Sequence, residues 1–226
     1  WMRDEAWKRI GHLYPKGPKG ETIIAWLWAR TVKCPNPACG AQMPLVRSFW
    51  LSTKKGKEAC VEPVVDRRAK TVRFEVRTGD GEAPEGSVNR TGTRCIVCGS
   101  AVTFDHVRAE GRAGRMGQQL MAMVAEGQRR RTYVSPAKSQ QDTAASAVPH
   151  WMPDTELPKQ ALGFRVQLYG MTRHADLFTP RQLVALTTFC DLVQEARALV
   201  LKDSSGDEEY ANAIATYLGL AVDRTA

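Results

Sequence analysis

Cys34-Pro35-Asn36-Pro37-Ala38-Cys39-Gly40 and Cys95-Ile96-Val97-Cys98-Gly99 are two short cysteine turns with 55 residues between their inner cysteines. Each pair is followed by a glycine that lets the turn wrap around a cation, and four thiolates so spaced are what a tetrahedral Zn2+ asks for. Cys34, Cys39, Cys95 and Cys98 are therefore the expected metal ligands. Four sulfur ligands leave no open position for a catalytic water, so the expected zinc is structural. The long spacer is tolerable because antiparallel hairpins bring their ends together, and Cys39 and Cys95 can meet over any even number of strands. Zinc would then contribute on the order of 10 kcal/mol to the folding of a sheet with a small core.

Residues 21–33 carry Ile23, Ile24, Ala25, Trp26, Leu27 and Trp28, an apolar run that predicts a buried strand delivering the first turn. Its tryptophans read as core, with stacking platforms for bases as the alternative. Residues 43–52 and 59–66 predict two strands joined by Thr53-Lys54-Lys55-Gly56-Lys57, and Arg67-Arg68-Ala69-Lys70 leads into a third over 71–77. There Val72, Phe74 and Val76 alternate with Arg73, Glu75 and Arg77. The reading for 34–104 is a zinc-ribbon β-meander. Beyond it, Met116, Leu120, Met123 and Val124 recur at helical spacing, preceded by glycines and arginines (Gly111, Arg112, Gly114, Arg115). That run can form an anion nest or serve close backbone packing. Arg129-Arg130-Arg131 adds charge before a short strand over 132–135.

Residues 1–13 read as an amphipathic helix whose start lacks a cap, so the chain looks cut from something longer. The composition shift over 136–158 is the expected internal boundary. Thr179, Pro180 and Gln182 form a capping box opening a helix to about Lys202, which is expected to bury Leu183, Leu186, Cys190, Val193 and Leu199 or their neighbours. After Ser204-Ser205-Gly206 a second helix completes a helical hairpin, and its end carries no stop signal. The expected fold class is α+β, in the order 1–33 (helix and strand leading into the ribbon), 34–104 (β-meander), 105–138 (Gly/Arg-rich segment and helix), 139–178 (linker and loops) and 179–226 (hairpin). Cys60 and Cys190 read as small core residues, and His12, His106, His150 and His174 form no metalloprotease pair.

With 226 residues and 43% apolar content the chain can bury one good core or two small ones. No apolar run approaches the ~20 residues of a membrane span, and cysteines confined largely to the two turns point to reduced thiols in a cytoplasm. The net charge of +8 is uneven: residues 1–138 hold 25 Lys and Arg against 13 Asp and Glu, whereas 139–226 hold 7 against 11. A clustered positive field suits an acidic polymer. The candidates for phosphate contacts are Lys54, Lys55, Lys57, Arg67, Arg68, Lys70, Arg112 and Arg115.

Longer motifs add a resemblance. Trp1-Met2-Arg3-Asp4-Glu5, the run from Trp26-Leu27-Trp28-Ala29-Arg30-Thr31-Val32-Lys33 through the first cysteine turn, Gly114-Arg115-Met116-Gly117, Tyr169-Gly170-Met171 and Leu177-Phe178-Thr179-Pro180-Arg181-Gln182-Leu183 together resemble the large zinc-ribbon-containing adenine-specific DNA methylases. Those proteins carry domain of unknown function 1156 and are often associated with anti-phage islands. The resemblance spans essentially the whole chain. It implies S-adenosylmethionine-dependent N6 transfer in the full-length parent, within restriction-modification or defence systems. The family's Asp-Pro-Phe-x-Gly-Gly-Gly cofactor loop and Asp-Pro-Pro-Tyr catalytic motif do not occur in these residues. The chain is therefore expected to be the segment between the cofactor and catalytic halves, able to bind but not to methylate alone. Its expected partners are DNA and the rest of the methylase. The alternative is a structural zinc scaffold that docks other defence proteins.

Overall fold

The computed structural model describes residues 1–127, 131–160, 163 and 165–225. Arg129 and Arg130 of the basic triplet lie outside them. In chain order the elements are helix α1 (Met2–Ile10), strands β1 (Ile23–Lys33), β2 (Gln42–Leu45), β3 (Trp50–Ser52), β4 (Ala59–Asp66), β5 (Thr71–Thr78), β6 (Thr93–Arg94) and β7 (Ala101–Val102), helix α2 (Phe104–Arg112), strands β8 (Gly117–Glu126) and β9 (Arg131–Val134), and helices α3 (Lys138–Ala145), α4 (Pro180–Asp203) and α5 (Glu208–Asp223). The strand pairings are antiparallel, and the class is α+β. Two compact units divide the chain: a strand unit of residues 16–141 and 157–172, and a helical unit of residues 1–15, 142–156 and 173–226.

Three sheets build the strand unit, ordered β2-β1-β8-β9, β3-β4-β5 and β6-β7. The strand anticipated over 43–52 is split, because β2 stays with β1 whereas β3 joins β4. The break falls at Val46. Its N–H is taken by Ser87 Oγ at 2.9 Å and its carbonyl by the Val88 N–H at 3.1 Å, so its backbone leaves the ladder. Val46 and Phe49 turn inward there, and Phe49 meets the Phe74 ring at 6.2 Å between centroids. The spacer between the cysteine turns is thus shared among three sheets rather than laid out as one meander.

The helix anticipated from Met116, Leu120, Met123 and Val124 is instead strand β8. Leu27 pairs with Ala122 and Trp28 with Leu120, which leaves Met121 as an extra residue in the ladder. Such a bulge shifts the two-residue alternation by one. Leu120 and Met123 consequently share a cluster with Ile23 and Ala125 despite their spacing of three, and Trp26, Trp28 and Val134 pack against it. The helix of this region comes earlier. Thr103 caps α2 by accepting from the His106 N–H, and Gly114 ends it at φ +68°. The Gly114 N–H bonds the Gly111 carbonyl and the Arg115 N–H the Glu110 carbonyl, a Schellman closure.

The main core packs Ala29 and Val32 of β1, Met43 of β2, Val61, Val72, Phe74 and Ala122 against Cys34, Cys39 and Cys95. Cys60 is buried, as anticipated.

In the helical unit α4 opens with the anticipated box: Thr179 accepts from the Gln182 N–H, and the Gln182 side chain accepts from the Thr179 N–H. α4 packs against α1 and α5, and Ala211, fully buried, lets α5 approach closely. Arg9 holds Glu195 through two bonds of 2.7 Å. Buried Arg181 donates to the Leu13 carbonyl at 3.2 Å and stacks 5.0 Å from the centre of the Tyr14 ring. Cys190 and Leu199 differ from the anticipated burial. Both are exposed, and Cys190 borders an open cavity of about 390 Å³ with Phe178, Leu186 and Val222. Among the described residues, no helix is long and apolar enough to cross a membrane.

Candidate metal centre

Each cysteine turn is the tip of a hairpin. β1 and β2 pair from Arg30–Leu45 to Lys33–Gln42, and the Cys34 N–H closes on the Ala41 carbonyl at 2.8 Å. Within the turn, the Asn36 carbonyl accepts from the Cys39 and Gly40 N–H groups at 2.9 and 3.0 Å, and Asn36 Oδ1 accepts from the Ala38 N–H. Gly40 then takes φ +62°, a conformation a side chain resists. The second turn repeats the scheme on β6 and β7. The Gly99 N–H bonds the Cys95 carbonyl at 2.7 Å, the Cys95 N–H bonds the Ser100 carbonyl, and Gly99 stands at φ +77°.

These tips bring four sulfurs within 4.8 Å of one another. Cys34 Sγ lies 3.8 Å from Cys98 Sγ and Cys39 Sγ 4.0 Å from Cys95 Sγ, and all six cysteines are free. A tetrahedron of sulfurs each about 2.3 Å from a zinc has edges of about 3.8 Å, so the two measured pairs fit such an ion. The cluster could hold a metal ion.

The four thiols differ in acidity. Burial pushes the Cys34 thiol up to about 12 and also raises Cys95. Cys98, the exposed member, is held down to about 6, first by its hydrogen bond with the Ser100 hydroxyl 3.2 Å away. Buried sulfurs that resist ionisation become stable thiolates only beside a cation, which a divalent ion at their centre would supply. Around them, Asn36 Nδ2 reaches Ser100 Oγ at 3.0 Å and Cys98 Sγ at 4.0 Å, bridging the two turns. His106 of α2 bonds the Lys33 carbonyl through Nε2 at 2.8 Å, fixing the end of β1 beside Cys34. Neither Asn36 nor His106 stands out in the sequence, because each acts on a partner 64 or 73 residues away.

The basic candidates do not form one patch. Lys54, Lys55 and Lys57 occupy the exposed β3–β4 turn, and Arg67, Arg68 and Lys70 the exposed β4–β5 turn. These turns sit at opposite ends of β4, which spans about 26 Å for eight residues at about 3.3 Å each. Asp66 Oδ1 accepts from the Arg68 and Ala69 N–H groups and shapes the second turn, where Lys70 adopts φ 56°. Arg112 is exposed, whereas the Arg115 guanidinium is engaged by both oxygens of Glu110. Charge follows the units: the strand unit holds 24 Lys and Arg against 11 Asp and Glu, a net of +13, and the helical unit 8 against 13, a net of −5.

No protein-family model, curated protein or solved structure matches this chain.

Proposed function

We propose that this chain is a zinc-clasped, DNA-contacting segment of a larger adenine-specific DNA methyltransferase, without catalytic activity of its own. The observation that carries the reading is the gathering of the Cys34, Cys39, Cys95 and Cys98 sulfurs within 4.8 Å of one another, in a unit of net charge +13. Zn2+ would close the β1–β2 and β6–β7 hairpins on each other in the manner of a zinc ribbon, and its closed ligand set makes the role structural. S-adenosylmethionine and the base-modifying residues belong to the parent enzyme, on the methylase resemblance of the motifs quoted above. Within this segment the β3–β4 and β4–β5 turns present their cations to separate phosphates from opposite ends of β4.

The experiment is equilibrium binding of fluorescent duplex DNA over a range of salt, paired with elemental analysis. The expected results are about one zinc per chain and an affinity that falls steeply with salt. Each lost phosphate contact flattens the logarithmic slope by about 0.9. Replacing Lys54, Lys55 and Lys57 by Gln should therefore flatten it by up to about 3, uniformly across DNA sequences. A folded, metal-free protein indifferent to DNA at low salt would defeat the reading.

A second reading, a zinc-stabilised scaffold for partner proteins in a defence complex, draws on one observation. Tyr210, Tyr217 and Leu220 are exposed on α5, in the acidic unit. That reading predicts unchanged DNA binding, or none, when both basic turns are neutralised.

A further inference from the structure

A cavity of the strand unit, about 310 Å³, is lined by none of the four cysteines and takes in motif residues that the metal centre leaves unused. Met116 comes from Gly114-Arg115-Met116-Gly117, Tyr169 and Met171 from Tyr169-Gly170-Met171, and Arg30 from the tryptophan-rich strand β1; Phe104 and Arg47 also line it. Segments far apart in the chain thus supply one concave surface.

We propose that this cavity receives a single unstacked base of a DNA strand, with Arg30 and Arg47 on the phosphates beside it. The inference rests on the DNA-contacting reading above and names its site.

Four observations support it. First, the walls are the kind a base favours. Phe104 and Tyr169 offer ring faces and edges, and Met116 and Met171 offer polarisable thioethers that pack against flat rings. Second, the rim is cationic. Arg30 and Arg47 are exposed, and neither is ion-paired with a described residue. A guanidinium so placed can pair with a phosphate in two-pronged fashion and lie against a ring. Third, the volume lies at the lower bound of about 300–1,000 Å³ for ligand pockets, so it suits one ring system rather than an extended molecule. Fourth, the walls are held in place. A Cβ on Gly111 would strike the Tyr169 carbonyl, and Gly170, at φ +85°, faces the Gly111 carbonyl in return, so the two glycines interlock α2 with the segment carrying Tyr169 and Met171. The Schellman closure of α2 fixes where the chain leaves toward Met116.

Charge decides between a base and an apolar peptide side chain. A neutral peptide anchor would use the walls and leave two unpaired cations at the rim of a unit already at +13. A nucleotide uses both.

The test compares two single strands of equal length and phosphate number, one bearing bases and one abasic throughout, on the full chain loaded with zinc. The base-bearing strand should bind about tenfold more tightly or better, the usual worth of one stacked base. It should also shift the methyl resonances of Met116 and Met171, which the abasic strand leaves in place. Met116→Trp, which fills the cavity, should remove the preference. Should that variant fail to fold, the methionine resonances of the parent chain carry the pocket test alone, and the exposed pair Arg30→Gln and Arg47→Gln tests the rim: it should weaken both strands, and unchanged binding of both overturns the placement of these cations. Equal binding of the two strands with unmoved methionine resonances overturns the pocket assignment and leaves the DNA-contacting reading standing. Absence of binding to either strand at low salt overturns both, and loss of the preference to an apolar peptide rather than to a nucleotide overturns the choice of ligand.

Discussion

Ser87 is one of the smallest side chains in the strand unit and among the most heavily used. Its hydroxyl donates to the Pro44 carbonyl at 2.7 Å and accepts from the Val46 N–H, while its own carbonyl accepts from Thr93 Oγ1 and the Arg94 N–H. Ser87→Ala leaves the buried Val46 N–H without a partner, at a cost of about 1–3 kcal/mol. Chemical denaturation should show a lower midpoint with an unchanged slope, and a variant as stable as the parent would remove Ser87 from this role. Nothing in the sequence marks Ser87, because its value lies in a partner 41 residues away. The cysteines are the opposite case. A sulfur cluster is written as spacing plus glycine, and Gly40 and Gly99 take the left-handed angles that spacing implied.

Among the elements, legibility tracked how local the governing physics is. The α4 box was readable because Thr179 and Gln182 satisfy each other within a single turn. β8 was not, since its bulge at Met121 exists only in register with β1 and disguises a strand as a helical repeat. The α2 helix carries signals that could have been found, Thr103 as cap and Gly114 as stop. The α1–α4 pairing also has a pH signature. Arg9, chiefly through its hydrogen bonds, holds the Glu195 carboxyl below the usual carboxylate range. A lowered folded value gives stability that is present above the unfolded value of about 4.3 and is lost as pH falls through the folded one. Arg9→Gln should therefore lower the denaturation midpoint slightly at pH near 7, with the gap to the parent closing as pH drops below about 4. The pair is exposed, so the effect is small. A gap independent of pH would mean that Arg9 acts through packing.

At the scale of the whole molecule, the metal should govern one unit more than the other. Chelation, or Cys95→Ser, should strip hydrogen-exchange protection first from the amides of Cys39, Gly40, Cys95 and Gly99, whose bonds define the two tips. Amides within α4 should keep theirs, and simultaneous loss everywhere would make the clasp global. The two-unit division was partly legible. A change of composition and of charge sign was visible near residues 136–158, but a unit assembled from residues 1–15, 142–156 and 173–226 leaves no local trace. That discontinuity has a consequence during synthesis. Arg9 and its partner Glu195 are 186 residues apart, so at about 5–20 residues per second α1 leaves the ribosome roughly 10–40 s before the helix that covers it. Over that interval Ala6, Ile10 and Leu13 lack the α4 surface they pack on, whereas residues 16–141 of the strand unit can already close, which makes α1 a segment in need of a holding chaperone.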